Sequence, residues 1–173
     1  SLHTRDGREV RVRFDAEILP LDGRDYLLSI AMDVTAREEA ERAVREANRR
    51  LTAMFEGARD AIVLADMETG IILDANEEAC RMLGRTKDAI VGMHQTQLHP
   101  PGLREEYRTR FARHTIEPRT LFMDAEVEAS NGARVPVEIS ASIVELGDGR
   151  RALQGIFRDI TSRKKAEATL RER

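Results

Sequence analysis

The chain has 173 residues, 41% of them hydrophobic and 34% charged, with a formal net charge of −3. That length suits one ordinary domain with something left over, and the acidic balance leaves no electrostatic footprint for nucleic acid. A single cysteine, Cys80, excludes an internal disulfide and any multi-cysteine metal site.

Residues 6–46 and 131–172 repeat one phrase. Asp6-Gly7 matches Asn131-Gly132, two turn dipeptides of the hairpin type. Val10, Val12 and Phe14 match Val135, Val137 and Ile139, alternating with polar residues. Asp22-Gly23 matches Asp148-Gly149, and Asp33-Val34-Thr35 matches Asp159-Ile160-Thr161. The offset of about 125 residues is far longer than a solenoid period. It predicts two tandem copies of one domain, with residues 1–35 the last hairpin of the first copy. An isolated hairpin is marginal in water, so residues 8–34 are expected to pack on the domain, on the linker or on the same hairpin of a second chain.

Residues 36–58 read as a linker helix. Ala40, Val44, Ala47, Leu51 and Met54 alternate spacings of 4 and 3, an a/d seam. Thr35 and Glu38 have the spacing of a capping box. Glu38–Arg42, Glu41–Arg45 and Glu46–Arg50 are i,i+4 pairs in the favourable order. Two readings stand: an amphipathic helix lying on its own domain, or a parallel coiled coil that makes a homodimer.

Residues 61–66 and 70–74 are short apolar strands joined by a turn at 67–70. The run 61–65 is the longest apolar stretch, too short to cross a bilayer. Asn76 precedes a short helix ending at Gly84, and a second starts at 86–88. Residues 92–102 read as irregular. A helix over 103–114 carries Leu103, Tyr107, Phe111 and His114 on one side. Strands follow at 122–129, 134–146 and 152–161. The first turns Met123, Ala125 and Val127 inward and Asp124, Glu126 and Glu128 outward. The second buries Val135, Val137, Ile139, Ala141 and Ile143. The class is α+β, one five-stranded antiparallel sheet with short helices on one face, flanked by amphipathic helices.

From Leu51 onward the ordered set "MFEGARDAIVLAD", "GIILDANEEACRMLG", "IVGMHQTQLHPP", "GIFRDIT" and the tail "SRKKAEATLRER" resembles a PAS domain with its trailing PAC motif, as in bacterial multidomain sensors. Residues 6–46 resemble the end of a preceding domain of the same kind. The resemblance implies a PAS domain over 51–161, an output helix from 162, and a sheet cupping a small pocket. It also implies a sensory, non-catalytic role, with a kinase or cyclase domain elsewhere in the parent; the lone cysteine itself points to a reducing cytoplasm, and the short apolar runs to no membrane contact by these residues. Asp33 and Thr35, with Asp159 and Thr161, are then the points where strand motion passes into a helix. Thr161 can cap the exit helix, and Asp159 can bind a free N–H or pair with Arg158 or Arg163.

Each chemistry known in the family makes a residue demand. The reactive cysteine of blue-light flavin domains falls at Gln95, and their flavin-contacting glutamine at Phe157, which disfavours covalent flavin. The axial histidine of oxygen-sensing haem domains falls at Arg104, with His114 two turns late; haem through another histidine, or a different small ligand, stays open. His94 and His99 form no metal motif, and no catalytic constellation is present. The expected pocket lining is Met82, Met93, Leu98, Tyr107, Phe111, Ile139, Ala141, Leu153 and Phe157, with Ile62, Leu64 and Met123 beside them. His94, Gln95, Gln97 and Tyr107 are the polar candidates.

Overall fold

A computed structural model describes residues 2–3, 5–116, 121–147 and 149–171. The chain divides into two units, Ser1–Thr52 and Ala53–Arg173.

The first unit holds the pair β1 (Leu2–His3) and β2 (Glu9–Val10), then the hairpin β3 (Val12–Leu21) and β4 (Arg24–Asp33), then the start of helix α1 (Thr35–Glu56). Asp22 and Gly23 both have positive φ, 49° and 72°, as a two-residue hairpin turn requires. Both faces of the hairpin are exposed, including Phe14, Ile18, Leu27 and Ile30. The predicted capping box does not form. Glu38 N–H donates to Val34 O at 2.9 Å, while the Thr35 hydroxyl accepts from Arg11 N–H at 2.7 Å. Glu38 pairs with Arg11 at 3.0 Å instead, and Glu41 is shared by Arg37 and Arg45. The strand entering the hairpin therefore claims the groups that the sequence assigns to the helix start. Helix α1 buries none of its residues, and Leu51 and Met54 are 65% and 68% exposed.

The second unit contains β5 (Ala61–Asp66), β6 (Ile72–Ala75), α2 (Glu77–Leu83), α3 (Lys87–Ile90), α4 (Arg104–Ile116), β7 (Leu121–Glu128), β8 (Arg134–Glu145), β9 (Arg151–Asp159) and α5 (Thr161–Arg171). Five strands make one antiparallel sheet in the order β6-β5-β9-β8-β7. The crossover puts the helices 77–116 between the second and third strands of the unit, and they cover one face of the sheet. Ile72, Ile90, Val127 and Val137 are the largest fully buried aliphatic side chains of that core.

Two expectations change here. On β5 the buried positions are Ala61, Val63 and Ala65, so Ile62 and Leu64 lie on the other face. The run is apolar throughout, and periodicity does not say which parity points inward. Residues 92–102 are not irregular: they form 3-10 turns at Gln95–Leu98 and Pro101–Leu103. His94 starts the first, accepting from Thr96 N–H, while the Gln97 side chain accepts from His94 N–H at 3.2 Å. Gly70 (φ 69°) leaves room for that ring; a Cβ there would sit 2.6 Å from His94 Nε2.

The two hairpins share their register. Val12 faces Asp33 and Phe14 faces Ala31, as Val137 faces Asp159 and Ile139 faces Phe157. Val34 N–H donates to Arg11 O, as Ile160 N–H donates to Pro136 O.

Candidate ligand cavity and strand-to-helix junction

A cavity of about 70 Å³ lies between the sheet and the helical layer. Val63 and Ala65 of β5, Ile139 and Ala141 of β8, and Leu153, Gly155 and Phe157 of β9 form its floor. Gln95, Leu98, His99, Tyr107, Arg110 and Phe111 form its roof. The Phe157 ring lies over Gly155, where an added Cβ would be 2.9 Å from ring atom Cε2.

His99 is only 3% exposed and stacks on Tyr107, ring centroids 3.5 Å apart and planes 4° from parallel. Its Nδ1 lies 2.7 Å from Glu126 O. A carbonyl only accepts, so Nδ1 carries the proton. Burial holds this imidazole down at about 4, so the ring is neutral at neutral pH. Arg110 is paired with Glu106, and its guanidinium carbon is 5.5 Å from the Tyr107 centroid. Gln95 is 9% exposed, and its Nε2 is buried without a hydrogen-bond partner.

Sequence and structure meet unevenly at this cavity. Leu98, Tyr107, Phe111, Ile139, Ala141, Leu153 and Phe157 line it, as the sequence places them. Met82 does not; it borders a separate, smaller gap with Ala79 and Leu83. Met93 packs partly buried against the core, and its carbonyl accepts from Ile72 N–H at 2.8 Å. Both methionines lie on the α2–α3 side of the fold, and only tertiary packing separates that side from the cavity. The side chains of Met123 and His114 lie outside the described residues. Val63, Ala65, His99, Arg110 and Gly155 were missed. The alternation of β5, read with the other parity, points to the first two.

The second candidate site is the junction of β9 and α5. Asp159 Oδ1 accepts from Thr161 N–H at 2.7 Å, and Ile160 is buried against the sheet end. Arg163, one turn into the helix, reaches Asp124 on β7 at 3.2 Å and Glu138 on β8 at 3.3 Å. Lys164 adds Asp124 at 3.2 Å. Arg158 turns to Asp60 at 2.9 Å, so neither arginine is Asp159's partner. At the equivalent place in the first unit, Asp33 Oδ1 accepts from Thr35 N–H at 2.9 Å. Hydrogen bonds from Thr35 hold that carboxyl below its usual range.

At the other end, Asn76 is fully buried and uses its whole side chain. Oδ1 accepts from Ile62 N–H at 2.8 Å and Ala79 N–H at 3.0 Å. Nδ2 donates to Phe55 O and Asp60 O, both at 3.1 Å. It thus joins the last turn of α1, the start of β5 and the start of α2.

A strand pair, a run of small helices, three more strands and an exit helix locked by an aspartate two residues upstream describe one known family. The family model for the PAS domain matches residues 59–162. The chain belongs to the PAS domain family. A methyl sulfide methyltransferase-associated sensor of Methanosarcina acetivorans is 27% identical over 164 residues, covering 95% of this chain and 16% of that protein. A sensor histidine kinase of Ectopseudomonas mendocina is 27% identical over 137 residues, 78% of this chain and 14% of that one. The chain therefore spans about a sixth of the length of these curated relatives. Among solved structures, the PAS domain of an HTR-like protein from Haloarcula marismortui superposes with a TM-score of 0.65. That match is 24% identical and covers 72% of this chain and all of the other.

A haem does not fit this PAS cavity. An apolar cavity of about 150 Å³ takes a guest the size of benzene, and here the volume is about 70 Å³. Its lining histidine, His99, donates from Nδ1 to Glu126 O, which leaves Nε2 as its ligating nitrogen, so it is the volume that excludes the porphyrin. The other loop histidine, His94, is not among the residues lining the cavity. Cys80 packs against the core, where burial pushes its thiol up.

Proposed function

We propose that this PAS domain is a relay module of a longer cytoplasmic sensor, passing changes in sheet geometry into the helix that leaves it. The observation that carries this reading is the Asp159–Thr161 hydrogen bond of 2.7 Å where β9 becomes α5. A strand displacement moves the first free N–H of the helix directly, and Arg163 and Lys164 spread the same linkage to β7 and β8. Coupling between sites requires a two-state element, and this direct strand-to-helix bond supports the junction as the place for it. The same bond at Asp33–Thr35 supports residues 1–35 as the end of an upstream domain of this kind, handing over to α1. The apolar stripe of α1 joins two chains, and a histidine kinase or cyclase domain in the parent receives the output.

Amide exchange tests the relay. In Asp159→Ala, the amides of the first turn of α5 should exchange about fivefold faster, the scale of losing one helix cap, while β5 and β8 stay protected. Unchanged exchange in α5 sinks the relay role of Asp159.

A second reading is a receptor for a small molecule in the cavity. The buried, unpartnered Nε2 of Gln95 favours it, because such a group is normally satisfied.

A further inference from the structure

We infer that the cavity takes a small neutral molecule of about three or four non-hydrogen atoms, mostly apolar, with one hydrogen-bond acceptor that meets the Gln95 amide. This inference rests on the receptor reading above and names the class of ligand.

Size comes first. The cavity offers about 70 Å³, less than half of the roughly 150 Å³ that admits benzene. A short ketone, aldehyde or ether fills it; an aromatic ring or a nucleotide base does not.

Polarity comes second. Val63, Ala141, Leu153 and Phe157 give the walls their apolar character. Gln95 alone among the described residues has a buried side-chain nitrogen or oxygen without a partner. Its backbone is fixed, with the N–H donating to Gly70 O at 2.8 Å. The terminal torsion of a glutamine is soft, so a small turn of the amide presents its NH2 to a guest. An acceptor on the guest removes the desolvation penalty of that NH2, and a pure hydrocarbon leaves it in place.

Charge comes third. An ion entering this space needs a countercharge. His99 is neutral through burial, and Arg110 already holds Glu106. A carboxylate guest has to share the Arg110 guanidinium with Glu106, a like charge already in place, which favours the neutral guest over the anion of the same shape.

Acetone and acetate have nearly the same size and differ in charge, so they form the test, with xenon as an apolar probe that needs no hydrogen bond. Protein-observed NMR on the full 173-residue chain reads all three. Acetone should give saturable shifts at the Gln95 side-chain NH2 and at the methyls of Leu98, Ile139 and Leu153. Its dissociation constant should be on the order of millimolar, as expected for so few atoms. Acetate should bind at least tenfold more weakly. Gln95→Leu should weaken acetone about fivefold to tenfold and leave xenon binding unchanged; Gln95→Met serves if the leucine variant loses its native spectrum. Equal binding of acetate and acetone, or acetone binding indifferent to both variants, overturns the ligand class while xenon still reports an open cavity. Silence from all three probes overturns the receptor reading as well. Neither result touches the relay, which the α5 exchange experiment decides separately.

Discussion

Asn76 and Gln95 show how much depends on whether a buried amide is satisfied. Asn76 makes four hydrogen bonds and is fully buried; Gln95 leaves Nε2 without one. Both side chains offer the same chemistry, so the difference comes from their surroundings. Around Asn76 converge the N–H groups of Ile62 and Ala79, near the starts of β5 and α2, and the carbonyls of Phe55, in the last turn of α1, and Asp60, just before β5. Removing it strands three of these groups and leaves Phe55 O only the long 3.5 Å bond from Ala58 N–H. Asn76→Ala should therefore destabilise the domain by about 3 kcal/mol, read as a lower urea midpoint with an unchanged slope. Asn76→Asp should be intermediate, since it keeps the two accepted bonds and loses the two donated ones. The sequence marks Asn76 as a residue standing before a helix. Its bonds to Phe55 and Asp60 join positions 21 and 16 residues away, which no local pattern contains.

At the scale of the element, β7 is the problem strand. It lies at the sheet edge, where unpaired backbone groups invite association. His99 covers part of that edge by donating from Nδ1 to Glu126 O, and its ring is stacked under α4 through Tyr107. Because the ring is buried there, the packing of edge, loop and helix favours the neutral imidazole. In the folded chain that ring protonates only near pH 4, and in the unfolded chain near its ordinary value of 6.5. Between these values the unfolded state binds more protons, so stability is full above about pH 6.5 and falls as the pH drops towards 4. The loss should approach about 3 kcal/mol, because each pH unit separating the two protonation points is worth about 1.4 kcal/mol. Chemical denaturation from pH 7 to 4.5 should show this slope in the parent chain and a flatter one in His99→Gln. Equal slopes would remove His99 as the cause.

At the scale of the whole molecule, what stands out is apolar surface that is exposed among the described residues. Leu51 and Met54 are each about two-thirds exposed on α1, and the hairpin of the first unit exposes Phe14, Ile18, Leu27 and Ile30. Exposed stripes at heptad spacing are what a two-stranded coiled coil covers. The double variant Leu51→Glu/Met54→Glu should sediment as a monomer at a concentration where the parent chain is a dimer. A parent chain that is itself monomeric at about 100 μM, well above typical self-association constants, defeats the dimer reading.

The order of elements, the α+β class, the antiparallel hairpins and both Asp-x-Thr junctions were legible in the sequence, because each is written in neighbouring residues. Turn dipeptides set the hairpins, period-two alternation set β7 and β8, and the doubled phrase carried its register into both hairpins. Much of the cavity could be read the same way, since Ile139, Ala141, Leu153 and Phe157 follow strand parity. Tertiary structure alone decided the rest. It chose the buried parity of the uniformly apolar β5 and moved Met82 and Met93 away from the cavity. It gave Thr35 and Glu38 to Arg11 in place of the helix start, and folded residues 92–102 into two 3-10 turns, the first capped by His94. It also left Gln95 unpaired beside a neutral His99. The physical reason is the same throughout: local pattern fixes which way a side chain leaves its own backbone, but its partners and its solvent are set by segments tens of residues away, which only packing brings together.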